Sequence, residues 1–191
     1  MQGTVQTAAV QKRKIHPHKF ALYIAMGSIL MMFAGLTSAY IVRHAQGNWV
    51  YYKLPFLFTL STVAIVLSSV TMIMGVRAFK QRAMPKYRML ITTTLILGLI
   101  FGVCQFMGFN QLYANNIRVN GNPSESFLFI IAGLHLLHML GGIIALIIVF
   151  FRAFRSRVKI YNATGLEIVA SYWHFVDALW IYLFVFFLAN Q

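Results

Sequence analysis

The chain has 191 residues, 60% hydrophobic and only 10% charged, whereas soluble domains carry about 25% charged residues interleaved with apolar ones, so an ordinary water-soluble globule is excluded. The formal net charge of +13 does not point to nucleic acid, because the Lys and Arg residues sit between and at the ends of long apolar blocks and form no continuous basic face. The one cysteine, Cys104, excludes an internal disulfide and a multi-cysteine metal site, and reads as a small packing residue.

Residues 1–19 are polar and basic, with Lys12, Arg13, Lys14 and Lys19, and lack the apolar run of a cleaved signal peptide. They are read as a basic cytoplasmic tail. A five-helix transmembrane domain, 20–191, follows. Its apolar blocks lie at about 20–42, 55–76, 89–110, 126–151 and 167–189, each 22 to 26 residues long. At about 1.5 Å per residue, 22 residues cover roughly 33 Å, enough to cross a bilayer core of about 30 Å. Lipid cannot satisfy backbone polar groups, so each block must be a helix. The alternating segments of about 10 residues that a β-barrel requires do not occur.

The first block carries Gly35 and Ala39 at small-xxx-small spacing, a pattern that lets helices approach closely. Pro55 opens the second block and Pro85 precedes the third, where a missing backbone N–H costs little. The third holds a GxxxG pair, Gly98 and Gly102, and one polar residue near mid-depth, Gln105. Asn120, Gly121, Asn122 and Pro123 read as a turn. The fourth block contains His135 and His138, then Gly141 and Ala145. Thr164, Gly165, Leu166 and Glu167 fit a capping box at the start of the fifth. Trp49, Tyr51, Tyr52, Tyr113 and Tyr161 lie near span ends, as interfacial aromatics do.

Thirteen of the 16 Lys and Arg residues fall in alternate segments: the tail, the stretch from Arg77 to Arg88, and the stretch from Arg152 to Lys159. Arg43, Lys53 and Arg118 are left for the other side. By the positive-inside rule the N-terminus is cytoplasmic, and five crossings put the C-terminus on the periplasmic side.

Polar residues inside the spans are few, and in lipid each needs a reason. On the fifth helix Glu167 and His174 are seven residues apart and share a face with Ser171, with Asp177 about 60° further round. Trp173 and Trp180 lie on another face. A seam of Glu167, Ser171, His174 and Asp177 would run from the cytoplasmic edge to mid-membrane. Facing helices would bring His135 and His138 near His174 and Asp177, because a His–carboxylate pair suits a buried acid. Three readings follow: a haem or metal site, a proton or ion path in a small proton-coupled transporter, and a structural network that locks helices or contacts lipid. The first is poorly served, since His135 and His138 at i, i+3 cannot sit on opposite faces of a haem.

The run from Glu167 through Ser171, Tyr172, Trp173, His174, Phe175, Val176, Asp177 and Trp180 resembles the last-helix signature of subunit III of the haem–copper terminal oxidases. His135, His138, Gly141 and Gly142 resemble the family's penultimate helix, and Gln105 matches a family glutamine. The likeness extends from about His16 onward and is to the five-helix bacterial form. Ile29 stands where many members carry a membrane glutamate, so a role of that acid does not carry over. The resemblance implies an accessory core subunit in the bacterial cytoplasmic (inner) membrane, non-catalytic by itself, in a cytochrome c oxidase that reduces dioxygen to water and translocates protons. It implies no catalytic, cofactor or metal residue on this chain, with haem and copper on partner subunits. It also implies direct packing on subunit I, association with subunit II and other oxidase subunits, bound phospholipid, support of proton uptake, and cytochrome c as donor to the complex. Donor sites lie on other subunits, so a quinol oxidase stays open as an alternative. Glu167, His174, Asp177, His135, His138 and Gln105 are the residues expected to form a buried polar network or a lipid contact.

Overall fold

The structure, a computed structural model, describes residues 17–47, 54–115, 122–155 and 163–190. Most of the basic tail, Trp49, Tyr51, Tyr52, Tyr161 and the first half of the turn at Asn120 and Gly121 lie outside them. The described residues form five helices: α1 (Pro17–His44), α2 (Phe56–Lys80), α3 (Met84–Ala114), α4 (Pro123–Arg155) and α5 (Thr164–Ala189). All five are long and apolar enough to cross a membrane. The fold is all-α, with no strand among the described residues. Each helix runs past its apolar block at one end or both. The apolar block measures the hydrocarbon, whereas backbone hydrogen bonding continues into the headgroup layer, where charged side chains are tolerated.

The prolines mark helix starts. Pro55 is the N-cap of α2, Pro85 lies in the first turn of α3, and Pro123 opens α4. The α2–α3 turn is very short. Ala83 N–H bonds to Ala78 O and Arg82 N–H to Phe79 O, both at 3.0 Å, which is the Schellman pattern of a helix end. It places Arg82 at φ 59°, a left-handed position normally given to glycine. The capping box expected at α5 is not formed. Ala163 occupies the N-cap, its carbonyl takes the Glu167 N–H at 2.9 Å, and the Glu167 side chain turns to other partners.

Helices α2, α3, α4 and α5 form a closed ring in which each packs on the next and α5 returns to α2. Helix α1 lies outside the ring, against α4 and α5 only. It buries just Phe33, Thr37 and Tyr40. The ring is filled by the two tryptophans of α5. Trp173 is fully buried and its Nε1–H donates to Ser68 Oγ on α2 at 3.1 Å. Trp180 stacks near Phe58 of α2, meets Phe101 of α3 edge-on at 5.3 Å, and donates to Thr62 Oγ1 at 2.9 Å. Large apolar residues face outward instead, among them Met31 at 77% and Phe56 at 76% exposure. That distribution suits a lipid surround, in which exposed apolar surface costs nothing.

Small residues are used differently from the expected helix-to-helix seams. A Cβ on Gly98 would stand 2.8 Å from the Trp173 ring, and one on Gly142 3.1 Å from its other side. Gly35 and Gly102 have open space, and Gly141 makes only an ordinary contact with the Tyr172 hydroxyl. The glycines therefore admit an indole between α3 and α4, not a neighbouring backbone.

Candidate functional site

At the basic end of the bundle a groove of about 380 Å³ opens between α2, α5 and the start of α1. Its polar lining is Lys19, Arg77, Lys80, Glu167, Ser171 and His174. Lys19 and Lys80 both donate to the Glu167 carboxylate, at 2.6 Å to Oε2 and 2.7 Å to Oε1. One acid thus ties three helices at one end through charge-assisted hydrogen bonds, the stronger kind. Two turns deeper, His174 Nδ1 lies 2.6 Å from Ser69 Oγ of α2. Asp177 follows one turn further in. It is 2% exposed, and neither carboxylate oxygen has a hydrogen-bond partner. Ser69 is its polar neighbour, although the Ser69 hydroxyl is engaged with His174.

The other expected residues lie apart from this seam. His135 is 1% exposed and neither ring nitrogen is hydrogen-bonded. It is enclosed by Trp180, Phe101 and Phe33, with ring centroids at 5.1, 6.2 and 6.3 Å. His138 donates from Nδ1 to Leu134 O of its own helix at 2.7 Å. Gln105 Nε2 donates to Ser61 Oγ at 2.9 Å, in the α2–α3 seam. The hydrogen bonds of the α5 seam therefore run to α2 and α1, and none runs to the histidines of α4. The reason is steric: Trp180 packs against His135 at a tilt of 33° and takes the space between α5 and α4. Ile29 is partly buried against the core, so an apolar contact stands where the acid would be. Among the described residues no three His, Cys, Asp or Glu side chains converge as metal ligands.

The hydroxyls of α2 went unread in the sequence. Ser61, Thr62, Ser68 and Ser69 recur at a spacing of seven and serve Gln105, Trp180, Trp173 and His174 in turn. The signal was there, but Ser and Thr in a helix can equally bond their own preceding turn, as Ser61 and Thr62 also do to Phe58 O. Glu125, in the first turn of α4, is a further buried acid. It sits where the helix dipole favours negative charge.

Comparison with known proteins supplies the identity of the fold. Residues 50–189 match the family model described as cytochrome c oxidase subunit III. Cytochrome c oxidase subunit 3 of Corynebacterium diphtheriae is 32% identical over 164 residues, covering 82% of this chain and 80% of the relative. Probable cytochrome c oxidase subunit 3 of Nocardia farcinica is 34% identical over 193 residues, covering 95% and 94%. The Mycobacterium bovis counterpart is 32% identical over 198 residues, with the same coverage. With one signature helix lining a groove and the match running through four of the five helices, the chain belongs to the cytochrome c oxidase subunit III family.

Proposed function

We propose that this chain serves as the accessory subunit III of a bacterial respiratory haem–copper oxidase in the cytoplasmic membrane. In this reading it packs directly on subunit I, associates with subunit II and other subunits, and carries no redox centre itself. The complex takes electrons from cytochrome c, reduces dioxygen to water and translocates protons. The chain stabilises subunit I, holds phospholipid and supports proton uptake.

The observation that carries the reading is the groove. Lys19, Arg77 and Lys80 face a single carboxylate, Glu167, which leaves an excess of two positive charges at headgroup level. Such a site suits an anionic lipid phosphate, and the tie through Glu167 keeps α1 against α5. Further support comes from the histidines. His135 is walled in by aromatic rings and His138 is held by its own helix, so both act as packing elements. Together with His174, Asp177 and Gln105 they set helix register.

The test is a mild-detergent pull-down of the tagged chain from its native membrane, with proteins and lipids identified by mass spectrometry. Co-purification with a haem-bearing subunit I and a subunit II, and lipid retention reduced in an Arg77→Ala, Lys80→Ala variant, is the expected result. Recovery of the chain alone from several gentle detergents overturns the assembly reading. Solute uptake by that lone chain in liposomes would then favour a proton-coupled transporter.

A further inference from the structure

Asp177 is the chain's sole aspartate and its most isolated buried acid. It lies within the membrane-crossing part of α5, 2% exposed, with both oxygens lacking a hydrogen-bond partner. An ionised carboxylate in that setting is expensive unless it is paired. Among the described residues no charged side chain hydrogen-bonds or ion-pairs with Asp177, and its charged neighbours along the α5 seam are engaged away from it. Lys19 of α1 and Lys80 of α2 bind Glu167, and Arg77 lines the groove. On α4, His135 is enclosed by rings and His138 is bonded to Leu134. What Asp177 does have beside it is Ser69, whose hydroxyl contacts His174, which itself lines the groove.

We propose that Asp177 is an exchangeable proton-binding site inside the bilayer, connected to the groove through Ser69 and His174. The side chain is a neutral carboxylic acid. A small rotation about Ser69 χ1 brings its Oγ within reach of the Asp177 acid while its O–H stays directed at His174 Nδ1. The acid O–H bond then breaks as a new bond forms to Ser69 Oγ, and Ser69 passes its own hydrogen to His174 Nδ1. His174 in turn releases its Nε2 hydrogen to water in the groove. The carboxylate left behind is reprotonated by the reverse steps, which also restore the histidine tautomer. No electrons move, and no charge is left in the bilayer once the cycle closes. This inference is independent of the assembly reading, because it concerns groups of this chain alone.

The test is infrared difference spectroscopy on the protein purified with whatever subunits accompany it. Spectra of the natural chain are compared with those of Asp177→Asn in ordinary and heavy water at neutral pH. The expected result is a carboxylic-acid carbonyl band that is absent from Asp177→Asn, displaced in Asp177→Glu, and moved to lower frequency in heavy water. Ser69→Ala and His174→Ala should keep the band but slow its deuterium shift by roughly 10²-fold, the contribution of a positioned proton-transfer group. Ser69→Thr, which keeps the hydroxyl, should exchange like the natural chain and controls for packing. A band unchanged by both Asp177 substitutions, or one that never shifts in heavy water, overturns the proton site. Undiminished exchange in both Ser69→Ala and His174→Ala overturns the route.

Discussion

Trp173 is gripped from two sides. Gly98 of α3 and Gly142 of α4 leave room for its ring, and Ser68 accepts its N–H. A methyl at Gly98 meets Cη2 at 2.8 Å and Cζ2 at 3.1 Å. The indole cannot retreat, because Gly142 closes the far side. Gly98→Ala is therefore expected to destabilise the protein by about 1–3 kcal/mol, as overpacking does. Gly102→Ala, which meets nothing within 4 Å, should stay within about 0.5 kcal/mol. Equilibrium unfolding in mixed detergent micelles separates the two, and equal effects would mean that a GxxxG seam is at work after all. Gln105 offers a second case. Its amide reaches Ser61, which also donates to Phe58 O. Gln105→Leu removes one interhelical bond of the kind that averages about 0.6 kcal/mol in membranes. A loss above about 2 kcal/mol in the same assay would show that Gln105 does more than join α2 to α3.

At the scale of the elements, α1 is the loosely held helix. It touches only α4 and α5 and buries three side chains. Its start is pinned by Lys19 on Glu167, its middle by Thr37 sharing a 2.9 Å hydrogen bond with Tyr182, and its end by Tyr40 among Phe127, Phe186 and Phe187. Glu167→Gln keeps the shape of the side chain but removes the charge that holds both lysines. Deuterium exchange in the first two turns of α1 should quicken in that variant, with α3 unaffected. High salt should quicken the same turns in the natural chain, because the pairs are partly exposed and ions screen them. Unchanged exchange at α1 would show that the aromatic end alone holds it. Helix α2, in contrast, is tied to α5 at several depths. Its hydroxyls at Thr62, Ser68 and Ser69 each meet an α5 side chain.

For the whole molecule, five crossings place the ends of α1 and α3 on one side and the α2–α3 turn on the other. Single cysteines in a Cys104→Ser background test this. Gln46→Cys and Asn115→Cys should react with an impermeant thiol reagent added to the periplasmic face, and Gln81→Cys only when the cytoplasmic face is opened. A uniform inversion would reverse the orientation inferred from charge. Labelling of Gln46→Cys and Gln81→Cys from one side would contradict the number of crossings.

What the sequence determined by itself was the helical, membrane-spanning character of the chain, its five spans and the identity of the last-helix signature. These rest on composition and on short-range spacing, and a bilayer imposes both directly: hydrocarbon thickness sets block length, and unsatisfied backbone groups force helices. The shared face of Glu167, Ser171 and His174 was legible for the same reason, since helical geometry places residues seven apart on one side. The partners of that face were decided only by tertiary structure. Glu167 found lysines 148 residues before it and on α2, and His174 found Ser69 at a separation of 105. His135 was left among rings with no hydrogen bond. Which side of α5 met α2 followed from where Trp173 and Trp180 could be buried, and that depended on glycines and hydroxyls of three other helices fitting together at once.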